Sequence, residues 1–164
     1  MTLTTHALVG ASLAALVPEH PVAGFAVGFL SHFVLDAIPH WDYHLRSRLD
    51  NNERPLDGDI RINGDFARDL IHVAFDGLLG VLVALLIFRP DTDRALATIV
   101  LGGLGGELPD ALQLAYFKIR REPLTALMRF HMWVHADGKI GRWPLGILAQ
   151  ISIVAAVAYV AALI

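Results

Sequence analysis

The chain has 164 residues, of which 55% are hydrophobic and only 18% charged, with a formal net charge of −3. An average soluble domain carries about 25% charged residues, so this composition excludes a disordered chain and argues against an ordinary soluble enzyme, while the lack of a basic excess excludes a nucleic-acid-binding surface. There is no cysteine, which rules out disulfides, iron–sulfur clusters, thiolate zinc sites and thiol catalysis.

In chain order, residues 7–17 are apolar except for Ser12, and residues 21–38 are interrupted only by Ser31, His32 and Asp36. Residues 70–88 carry His72 and Asp76 as their polar interruptions. Residues 95–117 enclose Thr98, Glu107, Asp110 and Gln113, and residues 143–164 hold no charged side chain. Apolar stretches of about 17–25 residues match the hydrocarbon core of a bilayer. A chain this short cannot hide five such helices from water. The sequence therefore predicts an all-α fold. It is a polytopic transmembrane helical bundle of four or five spanning helices plus a short amphipathic helix near 124–136, in one integral membrane domain over 1–164. The first stretch is short for a span, and partial placement at the interface is the other expectation for it. Lys and Arg are absent before Arg46, so the basic region of a signal peptide is missing and the segment is expected to stay in the chain. Asp65 is the expected N-cap of the third long helix.

Two polar regions, 39–65 and 118–142, divide the apolar stretches, and the links at 18–21 and 89–94 are short, as between antiparallel neighbours. The polar regions, extended to Arg68, hold 11 of the 13 Lys and Arg residues: Arg46, Arg48, Arg54, Arg61, Arg68, Lys118, Arg120, Arg121, Arg129, Lys139 and Arg142. Only Arg89 and Arg94 belong to the opposite links. The positive-inside rule puts the two polar regions in the cytoplasm, with the first residues on that side and the last on the far side of an inner (cytoplasmic) membrane. Trp41, Tyr43, Trp133 and Trp143 are expected at headgroup level. Gly24/Gly28 and Gly102/Gly106 have the small-xxx-small spacing of closely packed helices.

Ionisable residues inside apolar helices are costly, about 2.5–3.5 kcal/mol for an Asp at a helix centre, and call for a reason. Here they come in pairs. His32/Asp36, His72/Asp76 and His131/His135 are spaced i,i+4, and Glu107/Asp110 i,i+3, so each pair projects from one helix face. Asp65, Asp69, His72 and Asp76 form one stripe on the third long helix. Imidazole and carboxylate together bind zinc, manganese or iron, and a metal neutralises carboxylates that lipid would reject. His6 at the start of the first helix, Asp36 and His40 at the end of the second, His72 and Asp76 early in the third, and Glu107 and Asp110 late in the fourth all fall at one end of an up-down bundle. The preferred ligands are His6, His32, Asp36, His72 and Asp76, followed by His40, Glu107, Asp110, His131 and His135. Glu107 and Asp110 are the candidate catalytic carboxylates, with Glu107 as a general base. Asp42 is evenly poised between ligand and loop. His20 is expected in a solvated link, His44 in an exposed or interfacial loop, and Asp57 and Asp59 in an ordinary turn.

Thr5-His6, the segment GFLSHFVLDAIPHWDYH at 28–44 and GGLGGELPDALQ at 102–113 resemble the small bacterial membrane proteins predicted to be membrane-bound metal-dependent hydrolases. Those proteins share a Thr-His near the start and a Pro-Asp at the end of an apolar helix, here Pro109-Asp110. In this chain the early motif reads Pro39-His40-Trp41-Asp42 where Pro-Asp is usual, and the family's His-Arg-Gly is missing. The His-xxx-Asp pairs are also similar to those of helical zinc-dependent phospholipase C, in which such pairs hold a metal cluster. The resemblance implies metal-dependent hydrolysis with a divalent cation, zinc first and manganese or magnesium as alternatives. The expected partners are membrane lipids and a small-molecule or lipid phosphoester at the cytoplasmic surface, and not nucleic acid. A divalent-metal or proton transporter and a non-catalytic, metal-stabilised membrane protein are the rival expectations.

Overall fold

The computed structural model describes residues 1–51, 55–136 and 143–164; of the basic residues counted above, Arg54, Lys139 and Arg142 lie outside them. The described residues form six α-helices: α1 (Leu3–Ala14), α2 (Pro21–Asp36), α3 (Gly64–Phe88), α4 (Asp93–Ile119), α5 (Leu124–Val134) and α6 (Trp143–Leu163). Between α2 and α3 lie a 3-10 turn, Pro55–Asp57, and a two-residue antiparallel ladder, β1 (Arg48–Leu49) against β2 (Asp59–Ile60).

The helix starts follow from local chemistry. Thr2, Asn63 and Thr92 cap α1, α3 and α4 by accepting the N–H three residues on. The cap of α3 is thus Asn63 and not Asp65. Asp65 sits inside the first turn, where its charge faces the positive end of the helix dipole. Pro21 opens α2, where its missing N–H costs nothing.

Three helices, α3, α4 and α6, are long and apolar enough to cross a membrane. Their unpartnered faces carry Ile71, Phe75, Leu82 and Leu86 on α3 and Leu148, Ile151 and Leu163 on α6, all exposed. α2 has 16 residues and α1 has 12. At 1.5 Å per residue they reach about 24 and 18 Å, short of a hydrocarbon core of about 30 Å. α1 is nevertheless enclosed by other helices. It is the hub of the bundle, touching α2, α3, α4 and α6, with ten of its twelve residues buried. Small side chains make this enclosure possible. A Cβ on Gly28 would strike the Gly102 carbonyl, one on Gly10 the same carbonyl, and one on Gly106 the His6 carbonyl. Both glycine pairs read from the sequence lie in these close crossings.

The links after α1 and α3 meet at one end, where Thr92 Oγ1 donates to Glu19 Oε1 at 2.8 Å. Next to that end the bundle is filled by Leu8, Ala11, Ala84 and Ile99. The polar residues gather at the opposite end, beside α5 and residues 37–51.

Candidate metal centre

Asp36 is the centre of the polar cluster. It occupies the last turn of α2, one turn after His32, and Pro39 prevents the helix from continuing past it. Its side chain is 2% exposed. Around it the Nε2 atoms of His131, His32 and His6 lie 2.9, 3.2 and 3.2 Å away, and that of His40 3.8 Å away. His131 and His32 face Oδ2, whereas His6 and His40 face Oδ1.

Each imidazole is delivered by a different local device. The Gly106 carbonyl of α4 accepts the Nδ1–H of His32 at 2.8 Å. His131 lies on the inner face of α5, and the Ala136 N–H clips the end of that helix to the Asp36 carbonyl at 2.8 Å. His40 donates Nδ1–H to the Ile38 carbonyl at 2.7 Å, which fixes its ring after the turn at Pro39. His6 enters from the first turns of α1 and stacks on His32, with ring centroids 4.0 Å apart.

These backbone bonds set the tautomers. With Nδ1 protonated, His32 and His40 present Nε2 lone pairs to Asp36, the arrangement in which a second hydrogen bond orients a metal ligand. The donors could hold a metal ion. His32, Asp36, Asp110 and His131 each offer an atom within 4.8 Å of the others, and so do Asp36, His40 and His135. The Nε2 atoms of His32 and His131 are 3.3 Å apart, and two nitrogens bound to one tetrahedral zinc are separated by about 3.3 Å. Asp110 Oδ1 is 3.7 Å from His32 Nε2. The buried His6 Nδ1, His6 Nε2 and His40 Nε2 have no hydrogen-bond partner among the described residues, although Asp36 Oδ1 is within 4 Å of both Nε2 atoms. Buried polar atoms without partners are rare and costly, and a cation is the species that would satisfy lone pairs converging from several sides.

The other expected ligands lie apart from this cluster. His72 is exposed on α3, its ring 5.7 Å from that of Tyr43. Asp76 accepts from the Thr4 N–H at 3.0 Å and from Thr4 Oγ1 at 2.7 Å, so it anchors the positive end of α1. Asp69 similarly accepts from Ser47 N and Oγ at 2.8 and 2.7 Å. The α3 stripe is therefore a docking edge for α1 and for the loop segment at Ser47. Glu107 sits over Gly77, where a Cβ would meet its carboxylate, and its Oε1 is buried without a hydrogen-bond partner among the described residues. His20 and His44 are exposed.

Two further contributors stand outside the preferred ligand set: Asp42, evenly poised between ligand and loop in the sequence, and Gln150, missed from the sequence. Asp42 lies with Oδ1 3.3 Å from His40 Nε2 and Oδ2 3.8 Å from His135 Nε2. Burial works to raise its pKa, but His40 and the Met1 amine overcome it and hold the carboxyl below the usual range. Burial lowers the pKa of His135, favouring the neutral ring. The other is Gln150, a buried amide on α6, which accepts from Thr2 N and Thr5 Oγ1 at 3.0 and 2.9 Å and donates to the Trp41 carbonyl at 2.8 Å. Its signal was an isolated amide in an otherwise apolar helix.

A cleft of about 710 Å³ opens beside the cluster. Asp36, Asp42, Glu107, Asp110, His131 and His135 line its polar wall, while Phe66, Leu70, Val73, Leu114, Met128 and Met132 line an apolar one. Tyr43 also lines it, with burial first and then Asp76 and Asp110 pushing its pKa up, so the hydroxyl stays protonated. Comparison with protein-family models, with curated proteins and with solved structures finds no match for this chain.

Proposed function

We propose that this protein is a membrane-embedded, metal-dependent hydrolase acting on phosphate esters or lipid headgroups at the cytoplasmic face of an inner membrane. The observation that carries this reading is the pair of His32 and His131 Nε2 atoms, 3.3 Å apart against the buried Asp36 carboxylate, at the wall of an amphipathic cleft. His32, Asp36, Asp110 and His131 would hold the cation, and zinc suits this nitrogen and oxygen donor set, with manganese or magnesium as alternatives. Such an ion lowers the pKa of water and polarises a scissile group. Glu107, which lines the cleft, is the group to accept a proton from the attacking water. The Tyr43 hydroxyl supplies a hydrogen bond to the substrate. The apolar wall at Leu70, Val73 and Met132 accommodates an acyl chain, which makes a lipid headgroup ester the favoured substrate.

The membrane arrangement belongs to the same proposal. α1 and α2 run as an antiparallel pair beside α3 and α4, so all four cross as shortened or full spans, and α6 is the fifth. The site end carries Arg46, Arg48, Arg61, Arg68, Lys118, Arg120, Arg121 and Arg129, which orients it to the cytoplasm. The apolar plug of Leu8, Ala11, Ala84 and Ile99 beyond the site supports hydrolysis over transport, because a transport path needs polar groups through the membrane depth.

The test is hydrolysis of phospholipid and model phosphodiester substrates by the detergent-purified protein with zinc or manganese added. Activity lost in His131→Ala and His32→Ala supports the proposal. Inactivity on every ester, together with metal flux in proteoliposomes, overturns it in favour of transport.

A further inference from the structure

We propose that the protein binds two divalent cations, the second held by His40, His135 and the Oδ1 side of Asp36, with Asp42 beside them. This rests on the reading of the first centre above and extends it to a binuclear one in which Asp36 is the bridge.

The two donor groups meet only at Asp36. Its oxygens divide between them: Oδ2 faces His131 at 2.9 Å and His32 at 3.2 Å, and Oδ1 faces His40 at 3.8 Å, with His6 beside the same oxygen at 3.2 Å. A carboxylate that presents one oxygen to each of two donor sets is built to bridge, and bridged catalytic pairs sit about 3.5–4 Å apart. On the second side, the His40 and His135 rings lie 4.8 Å apart. Both are fixed through Nδ1 to backbone carbonyls, of Ile38 at 2.7 Å and Ala136 at 3.2 Å, which leaves the two Nε2 atoms as donors. The His40 side chain is 2% exposed, and its Nε2 has no hydrogen-bond partner among the described residues.

Charge gives an independent argument. Asp36, Asp42, Glu107 and Asp110 converge on the cleft, and the cationic side chain in its lining, Arg48, is 2.6 Å from Asp50 and so already paired. One divalent ion leaves this carboxylate group with excess negative charge, which repels a phosphate ester. A second neutralises it. The oxygens concerned already attract a cation, since the Met1 amine lies 3.0 Å from both Asp36 Oδ1 and Asp42 Oδ1. A metal at the second position displaces that amine.

The experiment is the metal content of the full chain, purified in detergent, loaded with manganese and desalted, read by elemental analysis and by electron paramagnetic resonance. Two equivalents per chain and a spin-coupled manganese signal are expected. His135→Ala, on the half-exposed turn after α5, should retain one equivalent and give the uncoupled six-line signal, and His40→Gln should do the same. One equivalent in the wild type, lost in His131→Ala and untouched by His135→Ala and His40→Gln, overturns the second site and leaves the first standing. No bound metal in the folded wild type overturns both.

Discussion

Asp36→Asn is the most informative single change, because it keeps the shape of the side chain and removes its charge. The carboxylate is buried and has four imidazole Nε2 atoms within 3.8 Å. Without metal, the variant forfeits the charge-assisted bond from His131 at 2.9 Å, a loss of about 1.5–3 kcal/mol of stability. With metal the loss is larger. Either orientation of the amide turns an NH2 group toward one pair of imidazoles, so no rotamer restores both oxygens. Removing a group that merely orients a ligand lowers affinity about 10–100-fold. Asp36 is itself a donor, so the dissociation constant should rise more than about 100-fold, or about 2.7 kcal/mol. Competition against a chromophoric chelator measures this directly, with circular dichroism as the control for folding. A folded Asp36→Asn protein that binds metal as tightly as wild type refutes the reasoning.

Further outcomes follow from the same geometry. His72→Ala should leave metal content unchanged, since His72 is exposed on α3 away from the cluster; metal loss in a folded variant would contradict this placement. Asp76→Ala frees Thr4 N–H and Oγ1 and should lower stability by about 1–3 kcal/mol, read as a drop in Tm, with the metal retained. Gly28→Ala drives a methyl group into the Gly102 carbonyl; the overpacking should cost about 1–3 kcal/mol, and an unchanged Tm would count against the crossing described. The chain has no native cysteine, so single cysteines report topology cleanly. Arg61→Cys and Arg121→Cys should react with a membrane-impermeant maleimide only after the cells are opened, and Asp91→Cys in intact spheroplasts. The reverse pattern would invert the orientation.

Much of the helical architecture was legible because helices with exposed apolar faces and helices buried in the core share one signal, an unbroken apolar run, and Pro, Thr and Asn punctuate it. That signal is silent about which apolar run ends up central. α1, the shortest of the apolar runs, became the hub through its small residues and its glycine contacts, which only a packing partner reveals. In the candidate site, the pairs His32/Asp36 and His131/His135 were visible as i,i+4 polar breaks in apolar faces, and the gathering of His6, Asp36, His40 and Asp110 at one end followed from counting helix turns, whereas the arrival of His131 and His135 there did not. Spacing did not separate His72/Asp76 from them. The two pairs look alike on paper, but Asp76 meets the N-terminus of α1 and His72 turns outward. Asp42 stayed evenly poised between ligand and loop for another reason: it belongs to a loop, where no periodicity assigns a direction, and the turn at Pro39 decides that it faces His40.

The central claim is that His32, Asp36, Asp110 and His131 together hold a divalent cation. Anomalous diffraction at the zinc edge from zinc-loaded crystals tests it directly. The account predicts a peak among these four side chains, with donor distances of about 2.0–2.2 Å; zinc-loaded crystals with no anomalous peak at that position would contradict it.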